Sequence, residues 1–469
     1  MAGKIIVGGA GASGLMAAIS AARAGASVTI LEAMERPGKK LLMTGNGRCN
    51  LTNMDDRLAE AYHGAEPVQA AAVLRRFDAV RTRNFFRELG LLTVEKNGYV
   101  YPYTNQASSV LEVLLAEVRR LGIRLKLSEK IVGIERRDGK WQVRTATWTY
   151  PADALILCCG SKCMPSTGSD GSGYALAQMA GLPIQDVSPA LVPLVCEESF
   201  LPALAGVRCH ARVTLQQAET PEVARQAIPS HSIPAQTKTE NQTVSGQIRT
   251  AKQSFLVDPE IAKQQKQENQ GRKTESSVWQ EIASETGEVQ WVRYGLSGIA
   301  VFQLSRHVSA ARPGTRFRIL LDLFSPFCKE ELEELLQKRA ASLFKEPPAV
   351  LLRGLLPEKL IPVVLSRAKI PPKQRCGALD EQTLARLLAV CRSFALTVSG
   401  TKSFDVCQVC AGGVSLHEVD PRTLECQRAP GLYLAGELLD IDGPCGGYNL
   451  QWAWASGYVA GTSAGQSVS

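Results

Sequence analysis

The first sixty residues alternate between short apolar runs and helically spaced ones. "KIIVGG" from Lys4 is a β-branched run of the kind buried in a parallel sheet. "SGLMAAISAARAGA" from Ser13 has helical apolar spacing and Ala-rich propensity, and "SVTILE" ending at Glu32 predicts a second strand. The other end of the chain is similar: "GLYLAGE" predicts a strand, a glycine-rich loop follows, and an apolar helix begins at about Tyr448. In between, "LILCCG" predicts a strand ending at Gly160, then a Ser/Gly loop and a helix. From about Pro193 the pattern shifts to short alternating runs such as "VRCHARVTL" and "RFRILLDL". Helical periodicity with Pro-marked breaks runs through "CKEELEELLQKRAASLF", "PEKLIPVVLSRAKI" and "DEQTLARLLAVCRSF". A Gln/Thr/Lys-rich stretch, 216–280, has too few large apolar residues to fold alone and is expected to be a mobile or extended insertion.

Between the first strand and helix lies Gly9-Ala-Gly11-Ala12-Ser13-Gly14, a GxGxxG. Gly9 permits the tight turn, Gly11 lets a pyrophosphate approach the backbone, and Gly14 lets helix and strand pack closely. The helix N-terminus then faces the phosphates. Glu32 lies 32 − 14 = 18 positions past the last glycine, at the end of the second strand, where it suits a ribose without a 2′-phosphate. With strand, helix, second strand and acid in register, dinucleotide binding is the expected role. FAD and NAD are not separated by these residues.

Two further loops join this picture. "GKKLLMTGNGRCNLTN" offers Lys40, Thr44, Gly45, Gly47, Arg48, Cys49 and Asn50, and its stretch from Leu41 to Asn53 is polar with almost no charge, costly to order unless it wraps a ligand. The C-terminal loop offers Gly436, Glu437, Asp442, Gly446, Gly447, Tyr448, Asn449 and Leu450, so that a helix N-terminus points at a cofactor ring. Gly160 is a further expected cofactor neighbour.

Composition narrows the remaining classes. The 45% apolar and 21% charged fractions are those of a globular protein, and the 469 residues suggest two or three domains. The net charge, 53 − 45 = +8, is compatible with an anionic partner, but no basic block occurs. Thirteen cysteines without framework spacing point to a reducing cytoplasm. No run of about twenty apolar residues predicts a membrane span. Cys407-Gln-Val-Cys410 is a CxxC with no second pair at zinc spacing, and the five histidines form no HExxH and no close pair, so no metal site is expected. GxSxG and Walker A sequences are absent.

The segments "GKKLLMTGNGRCNLTN", "GSKCMPSTGSDGSGYALA", "YGLSGIAVFQLSR", "TKSFDVCQVCAGGVSLHEVD" and "GLYLAGELLDIDGPCGGYNLQWAWASGY" together resemble the BaiN/RdsA family of bacterial FAD-dependent flavoproteins. They cover most of the chain outside the insertion. This chain departs from the usual pattern at Val292, Arg293 and Ile299, and carries Cys410 where the family usually has Thr. The resemblance implies an α/β fold: a Rossmann-like FAD-binding domain built from both chain ends, with an inserted β-barrel-like domain and a small helical domain. The expected boundaries are 1–192 and 393–469 for the FAD domain, 193–322 and 371–392 for the barrel, and 323–370 for the helices.

It also implies an FAD-dependent oxidoreductase that reduces a C=C bond conjugated to a carbonyl. Two acceptors are linked to the family, uridine in large-subunit ribosomal RNA and a 3-oxo-Δ4 bile-acid or steroid enone. The basic balance gives uridine a slight preference. In either case a donor must stabilise the developing enolate oxygen and an acid must protonate the α-carbon. Arg48 and Cys49 are the candidates, and Cys445 is a second thiol in a flavin loop. With no second GxGxxG, NAD(P)H as electron donor would bind transiently. Competing readings are an RNA-binding or assembly factor with structural FAD, and an oxidase of small amines.

Overall fold

The structure, a computed structural model, describes residues 2–55, 57–64, 66–218 and 278–469. A five-stranded sheet carries the cofactor half. Its strands run in the order Leu432–Leu434, Ala154–Leu157, Lys4–Gly8, Ser27–Leu31, Arg124–Lys126, every neighbour parallel. Ile5, Val7, Ile30, Leu155, Ile156 and Leu157 are all fully buried, which explains why these strands read as continuous apolar runs. The central strand comes from the chain start and an edge strand from its last forty residues, so the sheet joins both ends.

Helices Ala12–Arg23 and Tyr448–Ser467 lie against each other along their length. A stripe of glycines makes this possible. A Cβ on Gly457 would sit 2.5 Å from the Ser13 carbonyl oxygen, one on Gly461 2.2 Å from that of Ala17, and one on Gly465 2.6 Å from Ala24 Cβ. The two backbones therefore approach as closely as only glycine allows.

The middle of the chain forms a closed six-stranded barrel. Its ring order is Leu194–Cys196, Gly295–Ser297, Trp279–Val292, Arg208–Ala218, Phe317–Asp322, Phe394–Thr401. Trp291 and Phe394 meet edge to face inside it at 5.7 Å. Helices Lys329–Ser342, Pro348–Leu352, Ile361–Arg367 and Glu381–Arg392 share its core through Leu336, Leu352, Val364 and Leu387.

Three expected boundaries are corrected. Phe394–Thr401 pairs with Phe317–Asp322 and Leu194–Cys196, so it closes the barrel and is not the start of the cofactor domain's second piece. Its alternating burial, with Phe394, Leu396 and Val398 inward, is that of a barrel strand. Glu381–Arg392 packs on helices Lys329–Ser342 and Ile361–Arg367 and belongs with the helices, not the barrel. The expected insertion is also shorter at both ends, because Gln216, Gln217 and Ala218 pair with Glu281, Gln280 and Trp279. The rest of that insertion, 219–277, lies outside the described residues. Among the described residues no helix is long and apolar enough to cross a membrane.

Candidate functional site

The three glycines of the N-terminal turn answer to different demands. Gly9 has φ 101°, and a Cβ there would lie 2.5 Å from the Cys158 carbonyl oxygen. A Cβ on Gly14 would lie 2.0 Å from the Gly9 carbonyl oxygen. Gly11 has nothing within 4 Å on that side, so open space lies beside it. Ala12 and Ser13 open the helix. The Glu32 carboxylate accepts the amides of Ala10 (2.6 Å) and Met34 (2.8 Å), which fixes it at the strand end with lone pairs left for ribose hydroxyls. Beyond the next returning strand, Gly160 has φ 73°, and a Cβ there would meet Ser169 Oγ at 2.7 Å.

Past the Lys39–Met43 helix the chain makes a left-handed run, with φ 56° at Gly45, 55° at Asn46, 81° at Gly47 and 58° at Cys49. Hydrogen bonds from Arg48 N to Gly45 O (3.2 Å) and Cys49 N to Thr44 O (3.0 Å) close it. Gly45, Gly47 and Arg48 are exposed on its outer side. Arg48 donates from Nε to Gly45 O, and its guanidinium lies 5.2 Å from the centre of the Tyr101 ring. Cys49 turns the other way. It is 0% exposed in the main core, and burial pushes its thiol up to about 12 although Thr44 hydrogen-bonds it. Cys49, expected as a proton donor, thus has its side chain in the core.

The end of this loop meets the C-terminal one. Thr52 Oγ1 donates to Gln451 Oε1 (2.7 Å), Asn53 Nδ2 to Gly446 O (3.0 Å), and Trp454 Nε1 to Leu51 O (3.0 Å). Gly446 (φ 120°) and Gly447 (φ 98°) leave no room for a Cβ, which would strike Tyr99 at 2.7 Å and the Thr52 backbone at 2.6 Å. Asn449 holds the loop by accepting from Gly443 N (2.8 Å) and donating to Gly443 O (2.7 Å), and Tyr448 Oη donates to Asp55 (2.9 Å). Leu450 packs on the core. Gln451 N is the first amide bonded back, to Gly447 O, so Tyr448, Asn449 and Leu450 present the free amides of a helix start. Beside them the buried Asn50 Oδ1 has no hydrogen-bond partner, 3.0 Å from where a Gly447 Cβ would lie.

Glu437 is bound by Lys40 Nζ (2.5 Å) and Ser161 Oγ (2.8 Å). Burial pulls the Lys40 ammonium down, and Glu437 with the nearby thiols more than restores it, leaving it above its ordinary value. Gly436 (φ 74°) takes Ser456 Oγ on its amide at 2.9 Å, and a Cβ there would lie 2.4 Å from Ser13 Oγ. Asp442 is 2% exposed and pushed up to about 6 by burial, against the pull of Arg306. Arg306 lies 3.4 Å from Oδ1, an electrostatic contact that leaves this oxygen without a hydrogen bond. The Asp442 side chain thus serves Arg306. Cys445 is only partly buried, its amide donating to Gln303 Oε1 (3.0 Å) and its thiol to Gln408 Oε1 (3.7 Å). Thr52, Ser161, Gln303 and Arg306 escaped sequence reading because each is a lone polar residue whose partner lies far along the chain.

Gly11's open side, the orphaned Asn50 oxygen and the free amides at Tyr448–Leu450 fit an FAD. The HI0933-like protein Rossmann domain family matches residues 3–463. The chain belongs to this family. The resemblance to BaiN/RdsA flavoproteins is thereby borne out. A "3-dehydro-bile acid delta(4,6)-reductase" from Clostridium scindens is 39% identical, over 98% of both chains. A "Ribosomal RNA dihydrouridine synthase" from Haemophilus influenzae is 25% identical over 98% of this chain and 97% of its own. Among solved structures, the 3-ketosteroid-delta4-(5alpha)-dehydrogenase from Rhodococcus jostii RHA1 is 14% identical over 98% of this chain and 96% of its own, with a TM-score of 0.45.

Proposed function

We propose that this chain is an FAD-dependent reductase of a C=C bond conjugated to a carbonyl, and that its acceptor is a small-molecule enone of the 3-oxo bile-acid class. The observation that carries the reading is the 39% identity, end to end, with a bile-acid reductase. It reverses the slight preference for uridine that charge alone had given. When bound, FAD supplies a hydride at N5. The chain's residues do the rest. Gly11 and the helix start behind it would hold the pyrophosphate, Glu32 the adenosine ribose, and the amides of Tyr448–Leu450 the carbonyl edge of the ring. Cys445, whose thiol burial pushes up to about 12 and so keeps protonated, gives the proton to the α-carbon. Arg48 stabilises the developing enolate oxygen. NAD(P)H would be the electron donor, binding transiently because the chain has no second GxGxxG.

Anaerobically reduced protein mixed with a 3-oxo-Δ4,6 bile acid should be reoxidised, with the saturated product detected by mass spectrometry. A second reading, uridine in ribosomal RNA, rests on the 25% identity with a dihydrouridine synthase. Nucleosides from large-subunit ribosomal RNA of a host with and without this gene should keep their dihydrouridine. Its loss on deletion, with no turnover of the enone, would put uridine first.

A further inference from the structure

Helix Ile299–Ser309 stands between the barrel and the C-terminal loop of the candidate site. One face, with Ala300, Val301 and Leu304, is buried in the barrel core. The other carries Ile299, Phe302, Gln303 and Arg306 at helical spacing. Phe302 packs on the same small cluster as Cys445, Gln303 Oε1 accepts the Cys445 amide at 3.0 Å, and Arg306, one turn on, lies 3.4 Å from Asp442 Oδ1. This face therefore fixes the loop that carries the proposed acid.

The orientation of the Gln303 carboxamide is forced. A backbone amide can only donate, so the atom of Gln303 that faces Cys445 must be the oxygen, and the NH2 group is turned away from that bond. Among the described residues this NH2 group has no hydrogen-bond partner. Gln303 is half-buried, Cys445 is partly exposed and the neighbouring Gln408 is exposed, so the group is open to a molecule arriving from solvent. Ile299, four residues earlier on the same face, keeps 53% of its surface exposed.

Enone chemistry ties a donor to the acid. The α-carbon that takes the proton is bonded to the carbonyl carbon, so the oxygen on which charge develops lies two bonds from the atom that Cys445 must reach. A hydrogen-bond donor for that oxygen has to sit beside the acid. The Gln303 carboxamide does, because its own oxygen is bonded to the Cys445 main chain. We propose that Gln303 donates a hydrogen bond to the acceptor's carbonyl oxygen, in addition to Arg48, and that Ile299 takes the apolar ring next to that carbonyl. This rests on the enone-reductase function proposed above. Gln303 transfers no proton: Cys445 gives one to the α-carbon, the hydride goes to the β-carbon, and the Cys445 sulfur regains its proton from solvent.

The test uses the full-length holoprotein. With its flavin oxidised it binds the enone without reducing it, so the bound carbonyl can be read directly. For a 3-oxo-Δ4 bile acid isotopically labelled at the carbonyl, infrared difference spectra should place the C=O stretch at lower frequency in the wild type than in Gln303→Glu or Gln303→Met, because a hydrogen bond weakens the C=O bond. The first variant keeps an acceptor for the Cys445 amide and loses the donor; the second loses both. With the flavin reduced, Gln303→Glu should lower turnover about 100- to 1,000-fold, the usual worth of one such donor. It should regain part of that as pH falls and its carboxyl is protonated into a donor. A residue that only anchored the loop would leave Gln303→Glu at wild-type turnover and lower Gln303→Met alone; that result, or a carbonyl stretch unmoved in both variants, would overturn the proposal. Wild-type protein that neither binds nor reduces the enone would instead sink the reductase function and this inference with it.

Discussion

Two glycine-rich loops each carry one thiol to the candidate cofactor site, and they place it oppositely. In the first, the left-handed run at Gly45–Gly47 and Cys49 turns the Cys49 side chain into the core, where it is 0% exposed. In the second, Asn449 folds the loop back on Gly443, and Cys445 stays partly exposed between Gln303 and Gln408. Burial pushes both thiols up to about 12, so acidity does not separate them. Direction does. A thiol in a cofactor loop reaches a bound group only if its side chain faces outward, and that of Cys49 lies in the core.

The largest effect should come from breaking the packing of helices Ala12–Arg23 and Tyr448–Ser467, which lie behind the candidate cofactor site. In Gly461→Val the added Cβ would lie 2.2 Å from the Ala17 carbonyl oxygen, a backbone atom that cannot swing aside as a flexible side chain would. A cost of about 3 kcal/mol or more is expected. Thermal unfolding should fall sharply and the purified protein should carry little flavin. Next is the comparison itself: Cys445→Ala should lower the turnover of the enone by about 100- to 10,000-fold, the usual worth of a general acid. Reduction of the flavin by NAD(P)H should be unchanged in the same variant, so stopped-flow separation of the two half-reactions checks the assignment. Equal loss in both halves would make Cys445 a structural residue.

The loops also differ in what titrates. Met43 to Asn53 contains no carboxylate, whereas the second loop has Asp442, pushed up to about 6 from 3.8. With its folded value raised, the folded state holds the proton more tightly than the unfolded one. Stability therefore falls as pH rises from about 4 through about 6, by at most about 3 kcal/mol, and is level above. Asp442→Asn should remove that slope. Urea unfolding at about pH 4.5 and pH 7.5 should find the wild type losing roughly 2 kcal/mol relative to the variant. Parallel behaviour would mean that Arg306 keeps Asp442 ionised throughout.

Much of this was legible in sequence wherever one residue type has one physical use. Gly9, Gly14, Gly446 and Gly447 answer to close approach or positive φ, and the structure has them at those positions; Glu32 accepts two backbone amides at the strand end. What stayed hidden depends on partners distant in the chain. Ser161 matters because Glu437 is beside it, and Thr52 because Gln451 is. The boundary at Phe394–Thr401 was missed for a similar reason: an eight-residue alternating strand declares its face, not the strands it will join. The Gly457, Gly461 and Gly465 spacing was the one overlooked signal in plain view, a small-residue stripe at helical period inside an apolar helix.

The smallest effect is the sharpest check on the first loop. Cys49→Ala deletes one buried heavy atom and should cost about 1 kcal/mol, as small core truncations do. It keeps the penalty of a side chain at φ 58°, which for a non-glycine residue is about 1–2 kcal/mol. Cys49→Gly deletes slightly more volume but removes that penalty, so it should be no less stable than Cys49→Ala in the same urea titration. Both should retain turnover within a few-fold, because neither touches the outward side of the loop. If Cys49→Ala instead lost turnover as steeply as Cys445→Ala while keeping its stability, the loop would have to open and turn its thiol outward during the reaction, and the contrast between the two loops would belong to the resting state alone.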